Sequence, residues 1–287
     1  MEIPGGHNHK KRVAIYEFFG TSVLVWAVLI SGGSAFAVPF VFFGLIMACD
    51  NVSGSHFNPA VTTGVYFTTK NFKGNFSFYL VILLAEFAGG LFGLFLSWIV
   101  LLPNPIANGF DAVPAMWIPT LCPNGIGDRG NPYACDTDKS RERATFFLQM
   151  MSTFVFVFVV MMVKGKFSSP TNDGTLGAIS VSAALFAQIN VCGNLGGACF
   201  NPAVALAQLT WGISQTDGAV RDSQIHYAWI YLLAPFIGGA FAGITGIFHE
   251  QSCELMAVEA SKDEQKTLLH NYDVSHNTAY NEGVGDI

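Results

Sequence analysis

Long apolar runs separated by short polar stretches dominate the chain. Six of them approach the length of about 20 residues that spans the hydrocarbon core of a bilayer as a helix. Two semi-polar stretches, at about 56–70 and 199–212, are too short to cross. The pattern predicts an all-α membrane protein with six transmembrane helices and two re-entrant half-helices. The predicted spans cover about 13–36, 38–55, 76–102, 145–163, 174–193 and 225–248.

Each short stretch begins with the same peptide, Phe-Asn-Pro-Ala-Val, at Phe57–Val61 and at Phe200–Val204. Paired short segments at matching places in two halves are typical of inverted-repeat channels and transporters. Three spans per half is an odd number, so the second copy has to be inverted in the membrane. Further residues recur in order between the halves: Glu17, Thr21, Val23 and Val25 return as Gln149, Thr153, Val155 and Val157.

The composition fits one membrane domain with polar tails. The chain is 51% hydrophobic and 12% charged, whereas about a quarter of the residues in a soluble protein are charged. Its net charge of −6 provides no basic face for nucleic acid. The predicted channel domain covers 13–249, with repeat one at 13–102, an extracellular loop at 103–143 and repeat two at 144–249. Residues 1–12 form an N-terminal tail, and residues 250–287 form a flexible, acidic C-terminal tail.

Basic residues predict the orientation of the spans. Most of those near helix ends fall on one side of a six-span arrangement, and that side is expected to be cytoplasmic. Both termini then lie in the cytoplasm, and the polypeptide is a multi-pass protein of the plasma membrane or of an internal vacuolar membrane. The residues concerned are Lys10, Lys11, Arg12, Lys70, Lys73, Lys164 and Lys166.

The six cysteines follow no spacing that is typical of metal ligands, so neither a metal nor a cofactor is expected. Cys122 and Cys135 share the polar loop between the repeats. They pair as a disulfide if that loop faces an oxidising compartment and are free thiols otherwise. The sequence contains no set of nucleophile, base and acid, and this disfavours an enzyme.

The repeated Asn-Pro-Ala peptide predicts a helix start. Proline suits the first turn, and Asn caps the helix while directing amide hydrogens outward. The residues ahead of each Asn are small and predict irregular backbone. Within a membrane such backbone has unpaired polar groups, so we expect it to line a water-filled cavity. The expected midplane residues are Asn58, Pro59, Ala60, Asn201, Pro202 and Ala203. The carbonyls expected to line a pore belong to Gly54, Ser55, His56, Gly197, Ala198 and Cys199.

Two such half-helices entering from opposite faces would meet start to start at the midplane. Each start carries about half a positive charge from its macrodipole, so cations are repelled there. Asn58 and Asn201 would offer donors to a solute oxygen, and the carbonyls would offer acceptors in single file. The pattern therefore predicts a passive channel for water or small neutral solutes.

These motifs resemble those of the aquaporin, or major intrinsic protein, family across about residues 12–249. The resemblance is carried by Ser-Gly-Ser-His-Phe-Asn-Pro-Ala-Val-Thr at 53–62, Gly-Gly-Ala-Cys-Phe-Asn-Pro-Ala at 196–203 and Ala-Pro-Phe-Ile-Gly-Gly at 234–239. It implies a homotetramer in a lipid bilayer with a pore in each subunit. It also implies that Glu17 is the buried carboxylate that braces the first half-helix loop.

The chain departs from the family pattern at the outer constriction. Val204 stands where the family usually has Arg, and family spacing places Val38, Ile189 and Ala198 beside it. Replacing a guanidinium with Val predicts an apolar, wider constriction. Either a broader pore for glycerol, urea or ammonia or a dewetted hydrophobic gate would follow. Ala205 occupies the place where the glycerol-channel subgroup tends to have Asp.

The second repeat also differs, because Gln149 replaces the second buried carboxylate. Gln can still brace its loop through hydrogen bonds, without the charge. Two other classes of membrane protein remain open at this point. Inverted repeats also build ion-coupled transporters, and an apolar constriction that no longer conducts would suit a structural or junctional protein.

Overall fold

A computed structural model describes residues 7–69, 71–101, 139–215 and 218–282. This part of the chain forms eight helices. They are α1 (His7–Ile30), α2 (Ala37–Ser53), α3 (Pro59–Phe67), α4 (Phe72–Leu101), α5 (Lys139–Lys164), α6 (Gly174–Gly196), α7 (Pro202–Gln215) and α8 (Gly218–Glu282).

Helix lengths divide the eight elements into spans and half-helices. Helices α1, α4, α5, α6 and α8 are long and apolar enough to cross a membrane. Helix α2 has 17 residues, roughly 25 Å of rise, which is the lower end of the spanning range. Helices α3 and α7 have nine and 14 residues and are too short to cross. The described helices thus fit the six spans and two half-helices that the sequence predicts.

Glycines end the first two helices. Helix α1 ends at Ile30, short of the predicted limit at residue 36. Gly32 and Gly33 follow with φ of 63° and 71°, a left-handed conformation that terminates helices and that glycine adopts without steric cost. Helix α2 ends in the same way, with Gly54 at φ 84°.

An aspartate begins helix α6 on the predicted cytoplasmic side. The Asp173 carboxylate accepts hydrogen bonds from the backbone N–H groups of Thr175 at 2.7 Å and Leu176 at 3.4 Å. These bonds hold the pKa of Asp173 below its usual value, because they favour the ionised carboxylate.

Helix α8 runs well past the predicted end of the last span. Its backbone stays helical to Glu282, through the segment that the sequence predicts as a flexible tail. Residues 247–282 contain neither glycine nor proline, and many of them are good helix formers. Nearly all side chains from 251 to 270 are exposed, so this stretch of the extension does not pack on the channel domain.

The two halves pack in an interlocked way. Helix α4 lies on α1 and α8 lies on α5, while α3 packs on α8 and α7 packs on α4. Each half-helix thus rests on the last span of the other half. Glycine makes this possible, since a Cβ at Gly239 would clash with the carbonyl oxygen of Ala60, and one at Gly90 would clash with that of Ala203.

Candidate functional site

The starts of the two half-helices have matching caps. Asn58 is extended, with φ −159° and ψ 114°, and Pro59 follows as the first helical residue of α3. Its Oδ1 accepts from Ala60 N at 2.9 Å. In the second repeat, Asn201 Oδ1 accepts from Ala203 N, also at 2.9 Å. Each asparagine satisfies an N–H group that a helix start leaves unpaired.

The two asparagines also join the halves to each other. Asn58 Nδ2 donates to the carbonyl oxygen of Phe200 at 2.9 Å, and Asn201 Nδ2 donates to that of Phe57 at 2.7 Å. The half-helices therefore meet start to start. A side-chain amide has two hydrogens, so each asparagine keeps one that is not used in this cross-link. The sequence repeated a Phe before each Asn, but nothing in it marked these carbonyls as acceptors.

Glu17 holds the loop ahead of α3. This fully buried carboxylate accepts from His56 N at 3.1 Å and from Phe57 N at 2.6 Å. The loop is strained, because Ser55 and Phe57 have φ of 50° and 49°, which non-glycine residues rarely adopt. The two hydrogen bonds offset that strain and keep the loop irregular.

Gln149 occupies the equivalent place in the second repeat with a different pattern of bonds. Its Oε1 accepts from Cys199 N at 3.2 Å, and its Nε2 donates to the carbonyl oxygens of Gly196 at 3.1 Å and Gly197 at 2.7 Å. Gly197 lines neither of the two cavities described below. Gly197 is one of the six residues whose carbonyl oxygens are predicted to line a pore, and its carbonyl oxygen accepts a hydrogen bond from Gln149 Nε2.

Glu86 supports the start of α3 from the third span. Its Oε1 accepts from Asn58 N at 3.0 Å and from the Thr62 hydroxyl at 2.6 Å. The same hydroxyl lies 2.9 Å from His56 Nδ1. Oε1 of this buried carboxylate is therefore paired, whereas Oε2 has no hydrogen-bond partner within the described residues.

The four predicted constriction residues lie around one outer cavity. This cavity has a volume of about 270 Å³, and both midplane asparagines reach it. Its walls are mainly apolar. Val204 is 8% exposed and follows Asn201 on the first turn of α7. The constriction residues that line the cavity are Val38, Ile189, Ala198 and Val204.

A larger inner cavity of about 980 Å³ lies on the other side of the asparagines. Its lining includes Gly54, Ser55 and His56. At this mouth Lys164 Nζ donates to Asp50 Oδ1 at 2.6 Å and to the carbonyl oxygen of Gly54. This link between α2 and α5 was not evident from the sequence, because Asp50 and Lys164 are distant in the chain.

A disulfide and a metal site were the two other features considered from the sequence. Cys122 and Cys135 lie outside the described residues, so their pairing stays a prediction. Within the ranges that the structure describes, no group of three or more His, Cys, Asp or Glu residues is placed to hold a metal ion.

Residues 7–245 match the family model of the major intrinsic proteins. The chain belongs to the major intrinsic protein family. This major intrinsic protein is 27% identical over 239 residues to the aquaglyceroporin of Toxoplasma gondii, covering 79% of this chain and 74% of that protein. It is 26% identical over 242 residues to the glycerol uptake facilitator protein-like 6 of Lactiplantibacillus plantarum, covering 80% and 94%.

A solved structure supports the same fold for this major intrinsic protein. The aquaglyceroporin from Plasmodium falciparum superposes with a TM-score of 0.66 at 18% sequence identity, over 87% of this chain and 99% of that one. With the family established, the protein is a multi-pass membrane channel for water or small neutral solutes and not an enzyme.

Proposed function

We propose that this chain conducts small polyols such as glycerol, together with water, down their concentration gradients. The observation that carries the proposal is the cross-linked pair of asparagines at the base of an apolar outer cavity. A neutral solute reaching that base meets fixed donors in a site that offers no carboxylate to a cation. The names of the two relatives above, an aquaglyceroporin and a glycerol uptake facilitator, agree with it.

Charge selection follows from the meeting of the helix starts. The starts of α3 and α7 point at each other, and each contributes about half a positive charge. A cation that has lost its water shell there would face two positive ends. A neutral hydroxyl instead accepts the remaining hydrogen of Asn58 or Asn201. The midplane therefore passes neutral solutes and disfavours cations and hydronium.

Solute size is set in part by Val204. An arginine at this place would project five donors and a fixed charge into the outer cavity. Val204 leaves space and an apolar wall, which suits the carbon face of a polyol. The competing outcome is a constriction that excludes water and conducts nothing.

We infer further that four copies assemble with one pore in each, and that both termini face the cytoplasm. The basic residues near the inner helix ends support this orientation, and Lys164 lies at the inner cavity. The large apolar side chains exposed on the spans, such as Phe40 at 70% and Leu84 at 69%, suit contact with lipid or with neighbouring subunits.

Stopped-flow measurements on proteoliposomes test the function. Purified protein is reconstituted, and the uptake of water, glycerol, urea and ammonia is compared with that of protein-free liposomes, without any ion gradient. We expect faster water and glycerol fluxes, and slower ones for Asn201→Leu, which removes the donor and the cap. Folded protein that accelerates none of the four solutes would indicate a closed structural role. Flux that appears only when a parallel run adds an ion gradient would indicate a coupled transporter.

A further inference from the structure

Gln208 lies in the wall of the outer cavity, one helical turn beyond Val204 on α7. Residues four apart in a helix share a face, and both side chains line the cavity. Gln208 is only 4% exposed. The cavity wall thus contains a buried amide directly outside the apolar constriction.

The side-chain oxygen of Gln208 lacks a hydrogen-bond partner within the described part of the chain. Its Oε1 is fully buried and accepts no hydrogen bond there. Buried polar groups in proteins are nearly always paired, so an exception requires an explanation. Packing does not provide one, because a leucine or methionine would fill the same volume without leaving a polar atom unpaired.

The other buried amides of the described residues behave differently. Asn58 and Asn201 use both ends of the amide, in a cap and in the cross-link. Gln149 makes three hydrogen bonds to loop backbone. Among these four side chains, Gln208 is the one that lines the outer cavity and has an oxygen without a hydrogen-bond partner.

The side chains around Gln208 in the outer cavity are mainly apolar. Val28, Leu185 and Val204 line the same cavity with apolar surface. A polyol that enters loses hydrogen bonds to water, and these side chains replace none of them. An amide can both accept from and donate to a hydroxyl, so Gln208 is suited to replace part of that lost hydration.

We propose that Gln208 is a specificity-determining residue that hydrogen-bonds the hydroxyl groups of a small polyol in the outer cavity. The inference rests on the proposed function, since it assigns the solute contact at the entrance of the same pore. The amide lowers the barrier for a solute with several hydroxyls more than it does for water, because the polyol has more hydrogen bonds to lose. One neutral hydrogen bond corresponds to about a threefold to tenfold effect on permeability.

The test compares Gln208→Met with Gln188→Met in proteoliposomes. Methionine keeps the length of the side chain and removes the amide. Gln188, on α6, is the matched control, because it lies outside both cavities. The measurement is the ratio of glycerol to water permeability, with urea and ammonia measured in parallel and the thermal unfolding midpoint of each variant recorded in detergent.

We expect Gln208→Met to lower the glycerol-to-water ratio by about threefold to tenfold, with an unfolding midpoint equal to or above that of the wild type. Gln188→Met should leave the ratio unchanged. An unchanged ratio in a conducting Gln208→Met variant would overturn the inference, as would a selective loss of urea or ammonia flux. A variant that fails to fold would also overturn it, because the amide would then have a structural role. A wild type that conducts nothing would instead contradict the proposed function.

Discussion

At the scale of single residues, Glu17 and Gln149 occupy equivalent positions in the two repeats but form different hydrogen bonds. Glu17 accepts two backbone hydrogen bonds, from His56 and Phe57, and a carboxylate suits a site that contains only donors. Gln149 accepts one and donates two, which only an amide can do. Gln suits this place in the second repeat better than a carboxylate, because the carbonyl oxygens of Gly196 and Gly197 face the side chain and need a donor.

This difference predicts that Gln149→Glu destabilises the protein. A carboxylate at this place would face the carbonyl oxygens of Gly196 and Gly197 without a hydrogen to donate. We expect a loss of at least about 2 kcal/mol in the free energy of unfolding, seen as a lower thermal midpoint in detergent. The same substitution at the exposed Gln251 is the control and should have little effect. Equal midpoints for the two variants would contradict the role of the amide.

A second residue-scale prediction concerns Val204, which is nearly buried in the outer cavity wall. Val204→Arg should lower glycerol permeability by about tenfold or more relative to water, a change of about 1.4 kcal/mol in barrier, and should lower any proton leak. Val204→Leu separates size from charge, since it narrows the cavity without adding a cation. Proton flux through Val204→Arg equal to that of the wild type would show that charge at this place is unimportant.

At the scale of helices, close packing fixes where the half-helices sit. Gly239 of α8 touches the first turn of α3, and Gly90 of α4 touches the first turn of α7. Both contacts are with backbone oxygens, which cannot move aside without unwinding a helix start. Small residues at helix crossings allow such approach in membranes. These glycines set the depth at which Asn58 and Asn201 meet.

Gly239→Ala should therefore separate α8 from α3. The added methyl would overlap the carbonyl oxygen of Ala60, and we expect a loss of about 1–3 kcal/mol together with reduced flux. Gly44→Ala on α2 is the matched control, because a Cβ there meets nothing within 4 Å. It should be neutral or slightly stabilising. The measurements are thermal unfolding and glycerol uptake, and the same result for both alanines would argue against a packing role.

The end of the channel domain on α8 can be tested in the same way. Glu250 accepts hydrogen bonds from Phe167 N at 2.8 Å and Ser168 N at 2.9 Å, so it ties α8 to the connection between α5 and α6. Chain termination after Ser252 keeps Glu250 and removes the exposed stretch 254–270 together with the residues that follow it. We expect normal glycerol flux and stability from that variant, and a lower unfolding midpoint for Glu250→Ala. A truncated chain that no longer conducts would assign a function to the extension.

At the scale of the whole molecule, the chain is two interlocked halves with polar groups at the centre and apolar side chains outside. Glu17, Glu86 and Gln149 are fully buried, and each holds the backbone beside a half-helix. The outward faces of the spans carry exposed aromatic and aliphatic residues. A polar interior inside an apolar exterior is the arrangement that a bilayer requires of a channel.

The expected assembly belongs to this scale. We predict that native mass spectrometry in mild detergent detects four copies of the chain in one particle. Flux should then scale with the amount of tetramer in the liposome, since each subunit has its own pore. A monomer with full glycerol flux would contradict the prediction of a tetramer and leave the pore assignment intact.

The sequence by itself determined which segments of this protein form spans and which form half-helices. The length of the apolar runs defined the spans, and each Asn-Pro pair marked the start of α3 or α7, because proline and the residue before it restrict the local backbone. The repeat of the same peptide placed the two starts in equivalent positions. All of these features depend on residues that are close together in the chain.

Only the tertiary structure decided which groups meet. The amides of Asn58 and Asn201 donate to the carbonyl oxygens of Phe200 and Phe57. The carbonyl oxygen of Gly197 accepts a hydrogen bond from Gln149, and the side-chain oxygen of Gln208 has no partner within the described residues. These contacts depend on residues that are far apart in sequence. Hydropathy and motif spacing carry no information about such partners. These contacts depend on how closely the glycine-bearing helices approach each other and on which buried polar groups then lie within hydrogen-bonding distance.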